Sequence, residues 1–180
     1  PFLSSPFLDE IAGRKVLIKP ECLQHTGSFK YRGGYSAISA LNRDQKRAGV
    51  IAYSSGNHAQ GVALAARQHN IPAVIVMPND APAIKVANTR ADGAEVIFYD
   101  RYTEIREEIG ARLADDRGAT IVKPYDDPGV IAGQGTIGLE IAQQLAERNI
   151  QADAVLVPCG GGGMVSGIAL ALATRCPDLA

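Results

Sequence analysis

The sequence predicts an α/β protein built on an open, mostly parallel β-sheet. Short runs rich in β-branched residues alternate with stretches of helical hydrophobic period, and prolines at 72, 78, 82, 124, 128 and 158 stand at the junctions, where an element has to stop. The first strand is "KVLIK" (15–19), followed by a helix over 29–41. "GVIAYS" (49–54) leads into an alanine-rich helix over 57–69, and "AVIVM" (73–77) into a helix over 82–92. "EVIF" (95–98) precedes a helix over 102–116, in which Ile105, Ile109 and Leu113 share one face and the acidic residues lie away from it. "TIV" (120–122) is followed by a helix over 134–148, and "AVLVP" (154–158) by one over 164–175. A repeated strand-helix unit of this kind makes parallel sheet with helices on both faces.

Composition narrows the function. At 180 residues, 46% hydrophobic and 21% charged, the chain is long enough to bury a proper core. A net charge of −1 with the signs interspersed leaves no basic stripe for nucleic acid and no cationic face for a membrane, so the expected partner is a small molecule. Cys22, Cys159 and Cys176 are few, odd in number and widely spaced, which fits reduced thiols in a cytoplasm better than a disulfide framework or a zinc site. No secretory signal or transmembrane run is evident, and the cytoplasm is the expected location. The opening "PFLSSPFLDE" and the stop at Ala180 directly after an apolar helical run read as a fragment, which on its own would expose apolar surface and associate. His25, His58 and His69 have no helical metal-pair spacing and read as hydrogen-bonded structural histidines. The aspartates of "KPYDDPGV" (123–130) stand beside two prolines and read as turn residues, so no metal is expected.

In an open parallel sheet, ligands bind outside the carboxyl ends of the strands, and two loops there stand out. After "AVLVP" comes "CGGGGM": without Cβ atoms, Gly160, Gly161, Gly162 and Gly163 let the backbone wrap a ligand. Their amides and that of Met164, at a helix N-terminus, suit a phosphate. A tight strand-to-helix turn is the simpler alternative. The stretch matches neither the dinucleotide fingerprint nor a G-K-[ST] phosphate loop. After "GVIAYS" comes "SSGNHAQG" (54–61), where Ser55 or Asn57 would cap a helix and Gly56 permit a turn, but where a cap alone does not need so many polar residues. No G-x-S-x-G hydrolase elbow is present. Lys30, in "GSFKYRGG" (27–34), sits where a strand pattern gives way to a helical one.

With "SFKYRGG", "SSGNHAQG", "AGQGTIGLEI" and "PCGGGGM" in that order, the chain resembles the fold type II pyridoxal-phosphate enzymes, in particular the threonine/serine dehydratase and serine racemase group. The likeness spans nearly all of the chain. It implies a tryptophan synthase β-like fold of two open three-layer α/β/α domains: a large one from residues 1–41 and 131–180, with its C-terminal part missing, and a small one from 42–130. It implies pyridoxal 5'-phosphate as cofactor, with Lys30 as the Schiff-base lysine and Phe29 beside the ring. Asn57 would bond the ring's phenolic oxygen, and Gly160 to Gly163 with the Met164 amide would hold the phosphate. Ser54, Ser55 and the amides of Gly56, Asn57 and His58 would hold the substrate carboxylate. A position at the start of a helix, together with burial, favours the neutral amine that Lys30 would need.

The activity implied is dehydration of L-threonine or L-serine to a 2-oxo acid and ammonia. Serine racemisation and threo-3-hydroxyaspartate dehydration are alternatives, because Ser55 stands where the family's racemases carry their second acid and many threonine dehydratases carry alanine. His25 stands where nucleotide-activated racemases tend to have lysine, and Tyr125 occupies a loop position that varies in the family. The pyridine-nitrogen partner and the cation ligands are expected beyond Ala180. A homodimer is usual in the family. A nucleotide-binding α/β module without pyridoxal chemistry is the alternative from another class.

Overall fold

The computed structural model describes residues 1–179. Two short strands, β1 (Leu3–Ser4) and β2 (Leu17–Ile18), pair antiparallel across helix α1 (Pro6–Ala12). Pro6 opens α1, where a missing N–H costs nothing, and Gly13 closes it in the left-handed region at φ 63°. Two 3₁₀ turns lead to α2 (Lys30–Ser39), and α3 (Arg43–Ala48) follows behind a reciprocal cap: Asn42 Oδ1 accepts from the Gln45 amide at 2.9 Å, and Gln45 Oε1 from the Asn42 amide at 3.0 Å. Neither α1 nor α3 is expected from hydrophobic period, since both are shorter than the window over which a period can be read.

The next stretch is the repeated unit itself: β3 (Val50–Tyr53), α4 (Asn57–Gln68), β4 (Ala73–Pro78), α5 (Ala83–Ala91), β5 (Glu95–Tyr99), α6 (Arg106–Arg117) and β6 (Thr120–Ile121). The four strands form one parallel sheet in the order β5-β4-β3-β6, with Val50 opposite both Ala73 and Thr120, and Val74 opposite Glu95. Alternation divides the side chains of β3 and β4 between two cores. Val50, Ala52, Ile75 and Met77 pack with Ile38 of α2, Val62 of α4 and Val86 of α5, whereas Ile51, Tyr53, Val74 and Val76 pack against Ile109 and Leu113 of α6. Both faces are covered, which is why β3 and β4 read as unbroken apolar runs. Ile105, by contrast, stands outside α6 as its N-cap and is exposed.

Helix α7 (Pro128–Glu147) begins six residues earlier than the apolar period alone suggests. Asp127 explains the difference. Its Oδ1 accepts from the Gly129 and Val130 amides at 2.8 and 3.1 Å, and Pro128 takes the first helical position. The aspartates at 126 and 127 thus belong to a turn and a cap, and among the described residues no cluster of three or more potential metal ligands occurs. Helix α8 (Gly163–Arg175) packs on α7 through Ile137, Ile141, Leu145, Ile168 and Leu172.

Residues 154–158, expected as a strand, pair with no other described segment. Val155 and Val157 turn toward the α7–α8 core while Leu156 is 95% exposed. The alternation of a strand is present; the hydrogen-bonded neighbour that would make it one is not among the described residues. No helix is long and apolar enough to cross a membrane among those residues.

Candidate active site

Lys30 is the first residue of α2, immediately after a turn in which Thr26 and Gly27 take positive φ values of 58° and 71°. Its side chain is half buried, and Nζ donates to the Pro124 carbonyl in the loop between β6 and α7. The ring centroids of Phe29 and Tyr125 lie 5.2 and 6.0 Å from Nζ. Burial holds the Lys30 ammonium below its ordinary range, which favours the neutral, nucleophilic amine.

Two features fix this helix start. A Cβ on Gly61 of α4 would lie 2.9 Å from the Tyr31 nitrogen and 3.0 Å from the Lys30 carbonyl carbon, so α4 rests directly on the backbone of α2. Two residues past Lys30, the Arg32 guanidinium bonds Glu21 at 2.8 and 2.9 Å, Glu140 at 2.6 and 3.1 Å and Thr136 Oγ1 at 3.0 Å. Lys19 also bonds Glu140, and the hydrogen bonds from Arg32, joined by that of Lys19 and outweighing partial burial, bring the Glu140 carboxyl down to about 2.

Opposite Lys30 stands the glycine loop. Gly162 has φ 87°, a region that only glycine enters freely, and Cβ atoms added at Gly160 or Gly162 would meet nothing within 4 Å. Gly161 and Gly163 are tight: a Cβ on Gly161 would run into the Tyr125 ring, and one on Gly163 would sit 2.6 Å from the Tyr125 carbonyl oxygen. The Ser166 amide is the one that reaches back to the Gly162 carbonyl, at 2.9 Å, so the amides of the first turn before it have no acceptor within the helix. Lys30, Phe29, Gly160, Gly161, Gly162, Gly163 and Met164 all line one cavity of about 380 Å³.

Ser54, Ser55, Gly56, Asn57 and His58 form a second group, at the carboxyl end of β3 and the first turn of α4, and are not part of that lining. Gly56, not Ser55 or Asn57, is the N-cap; Ser54 Oγ accepts from the Gly56 amide at 3.2 Å, and Asn57 Oδ1 accepts from Lys85 Nζ at 2.9 Å. His58 turns inward. It is 2% exposed, its Nε2–H donates to the Val122 carbonyl at 2.9 Å, and burial, with the charge of Lys30 adding to it, pushes its pKa down to about 4 against the opposing pull of that hydrogen bond. The ring is neutral and structural, and only its backbone amide belongs to the helix start.

Sequence reasoning assigned no role to Pro124, Val130 or Gln134, which complete the wall near Lys30. Gln134 carried a signal, as a member of "AGQGTIG"; a backbone carbonyl such as that of Pro124 carries none.

The arrangement fits pyridoxal phosphate. An uncharged amide cradle for a dianion faces an amine across one cavity with an aromatic wall, and a buried amide, Gln134, is left there without a hydrogen-bond partner among the described residues.

The comparisons with known proteins agree. L-threo-3-hydroxyaspartate ammonia-lyase of Pseudomonas is 54% identical over 178 residues, covering 99% of this chain and 54% of that protein. L-threonine ammonia-lyase of Thermotoga maritima is 46% identical, covering 97% of this chain and 43% of that one. The structure of maize serine racemase superposes with a TM-score of 0.93 at 42% identity, covering 99% of this chain and 53% of that one. The chain thus spans about half the length of the relatives it matches. The family model described as pyridoxal-phosphate dependent enzyme matches residues 1–180, and with relatives of this identity along its whole length the chain belongs to that family, whose cofactor decides between the two classes open from the sequence.

Proposed function

We propose that this protein is a pyridoxal-phosphate-dependent ammonia-lyase that converts a β-hydroxy amino acid, L-threonine or L-serine, to a 2-oxo acid and ammonia. The observation that carries the reading is the Lys30 amine facing the glycine loop across a single cavity. A second reading, L-threo-3-hydroxyaspartate as substrate, is favoured by the relatives of that name in Pseudomonas and Saccharomyces cerevisiae, at 54% and 49% identity. Serine racemisation is compatible with a serine at position 55.

In this proposal the amides of Gly160 to Met164 would hold the cofactor phosphate, Phe29 would flank the ring and Asn57 would hydrogen-bond the ring's phenolic oxygen. Bound there, pyridoxal phosphate supplies an electron sink for the bond broken at the substrate Cα. Lys30, whose ammonium is easier to deprotonate because it is buried, takes the Cα proton and returns it to the β-hydroxyl, which leaves as water. The water lost at Cβ is regained when ammonia is released, so the substrate and the two products balance. Ser54, Ser55 and the amides at the start of α4 orient the substrate carboxylate.

The same reading includes two domains, residues 1–41 with 131–180 and residues 42–130, in keeping with a parallel sheet contained within 50–121. It also includes a homodimer, on the family resemblance alone, and a location in the cytoplasm, on the few and widely spaced cysteines. In the complete protein, Lys30→Ala should abolish the visible absorption band that wild type gains with pyridoxal phosphate and that borohydride bleaches; an unaltered band in that variant would end the reading.

A further inference from the structure

We infer that the His58 imidazole is a positioning residue for Lys30: its hydrogen bond to the Val122 carbonyl fixes the segment whose Pro124 carbonyl holds the Lys30 amine and whose Tyr125 backs the glycine loop. The inference rests on the role proposed above for Lys30. His58 does not itself line the cavity; Lys30, Pro124, Tyr125 and the four glycines do, and His58 acts through them.

Residues 123–126, between β6 and α7, have little to fix them from within. No backbone amide of theirs bonds a backbone carbonyl among the described residues, and Pro124 has no amide to offer. Their course is therefore set at the two ends. At the far end Asp127 caps α7. At the near end Val122 is held twice: its amide donates to the Ile51 carbonyl of β3 at 2.8 Å, and its carbonyl accepts from His58 Nε2–H at 2.9 Å. Two residues later comes the carbonyl that receives Lys30 Nζ, and the next residue carries the ring that a Cβ on Gly161 would strike. Val122 is buried, so without His58 its carbonyl would have to turn to another donor and take the segment with it. Packing alone does not call for a histidine here. Nδ1 is buried without a hydrogen-bond partner among the described residues, a cost that an apolar side chain would avoid and that only the bond from Nε2 offsets.

The test compares two variants of the complete protein. His58→Gln keeps an N–H donor at the reach of Nε2, whereas His58→Phe keeps a ring and loses the donor. In the cofactor-free protein, acetylation of Lys30 by trace acetic anhydride, read by mass spectrometry relative to Lys46 in α3, should rise about threefold or more in His58→Phe as the Pro124 contact loosens, and stay nearer to wild type in His58→Gln. The dissociation constant of pyridoxal phosphate should follow the same order, rising about tenfold in His58→Phe. A loss of overall stability exposes every lysine alike, so a Lys30 to Lys46 ratio that does not move overturns the inference and leaves the ring a purely structural role. So does a phenylalanine variant closer to wild type than the glutamine one, the order that packing alone predicts. If His58→Phe does not fold, His58→Met, which also fills the space without a donor, takes its place in the comparison. A wild type that takes up no pyridoxal phosphate refutes the role proposed for Lys30 and the inference with it, an outcome distinguishable because it does not depend on position 58 and because the labelling needs no cofactor.

Discussion

The Arg32 guanidinium grips Glu140 with both terminal nitrogens, at 2.6 and 3.1 Å, and Glu21 with Nε and Nη2, at 2.8 and 2.9 Å. The residue two places after Lys30 is thereby tied to the turn before α2 and to the middle of α7. Arg32 is only 10% exposed, so its loss strands two carboxylates in partly dry surroundings. Arg32→Met should cost roughly 3 kcal/mol of unfolding free energy, the low end for breaking a buried pair, measured by urea denaturation. Arg32→Lys should recover little of it, because an ammonium cannot make paired bonds to two carboxylates.

That network also predicts an acid limit. The folded pKa of Glu140, about 2, lies below its ordinary 4.5, so its stabilising share is complete above pH 4.5 and is lost as pH falls toward 2. Glu140→Gln should be less stable than wild type at pH 7, and the difference should narrow through that window in a pH series of denaturant melts.

His58 titrates in an adjoining window for a different reason. Its folded pKa of about 4 lies below the ordinary 6.5, so between these values the unfolded chain binds a proton that the folded chain refuses. Stability should fall from pH 6.5 toward 4 with a slope approaching 1.4 kcal/mol per pH unit, the value for a single proton. His58→Gln should flatten that part of the curve whatever it does to the plateau; an undiminished slope in the variant would assign the titration elsewhere.

The glycine loop permits a sharper test. A Cβ on Gly161 meets the Tyr125 ring, which can be removed, but one on Gly163 meets the Tyr125 carbonyl oxygen and Cα, at 2.6 and 3.0 Å, which cannot. Gly161→Ala should weaken pyridoxal phosphate binding, and Tyr125→Ala in the same chain should restore part of the loss. Gly163→Ala should weaken it without rescue. Titration of the three single and two double variants as two double-mutant cycles decides the matter.

These residues show where the sequence was legible. β3 and β4 are readable because central parallel strands are buried on both faces and leave unbroken apolar runs, and Lys30 and the glycines because few folds need them where they stand. Residues 154–158 carry the same run but no ladder, since an apolar pattern reports burial and not the presence of a hydrogen-bonded neighbour. The partners of Lys30 and of the loop, Pro124 and Tyr125, come from a segment some 94 residues from one and 36 from the other along the chain, and no local pattern announces them. The start of α7 was hidden by reading Asp127 as a turn residue alone, when a turn residue that accepts from two amides is also a cap.

Ser55 bears on the outcome of the reaction. It stands exposed between β3 and α4, with no side-chain role in capping that helix, so its hydroxyl is free for a ligand. β-Elimination needs one group to take the Cα proton, the role proposed for Lys30; racemisation needs a second group to deliver a proton to the opposite face of the same carbon. Ser55→Ala in the complete protein should therefore keep substantial dehydration of L-serine or L-threonine while any interconversion of D- and L-serine falls by roughly two to four orders of magnitude, the scale for losing a general acid-base group. Chiral chromatography of the amino acid, run beside a 2-oxo acid assay, reads both. If the two activities collapse together, Ser55 anchors the carboxylate and the two-face argument fails. If wild type interconverts no serine, racemisation drops out and dehydration alone remains, with L-threo-3-hydroxyaspartate the substrate to set against L-threonine and L-serine.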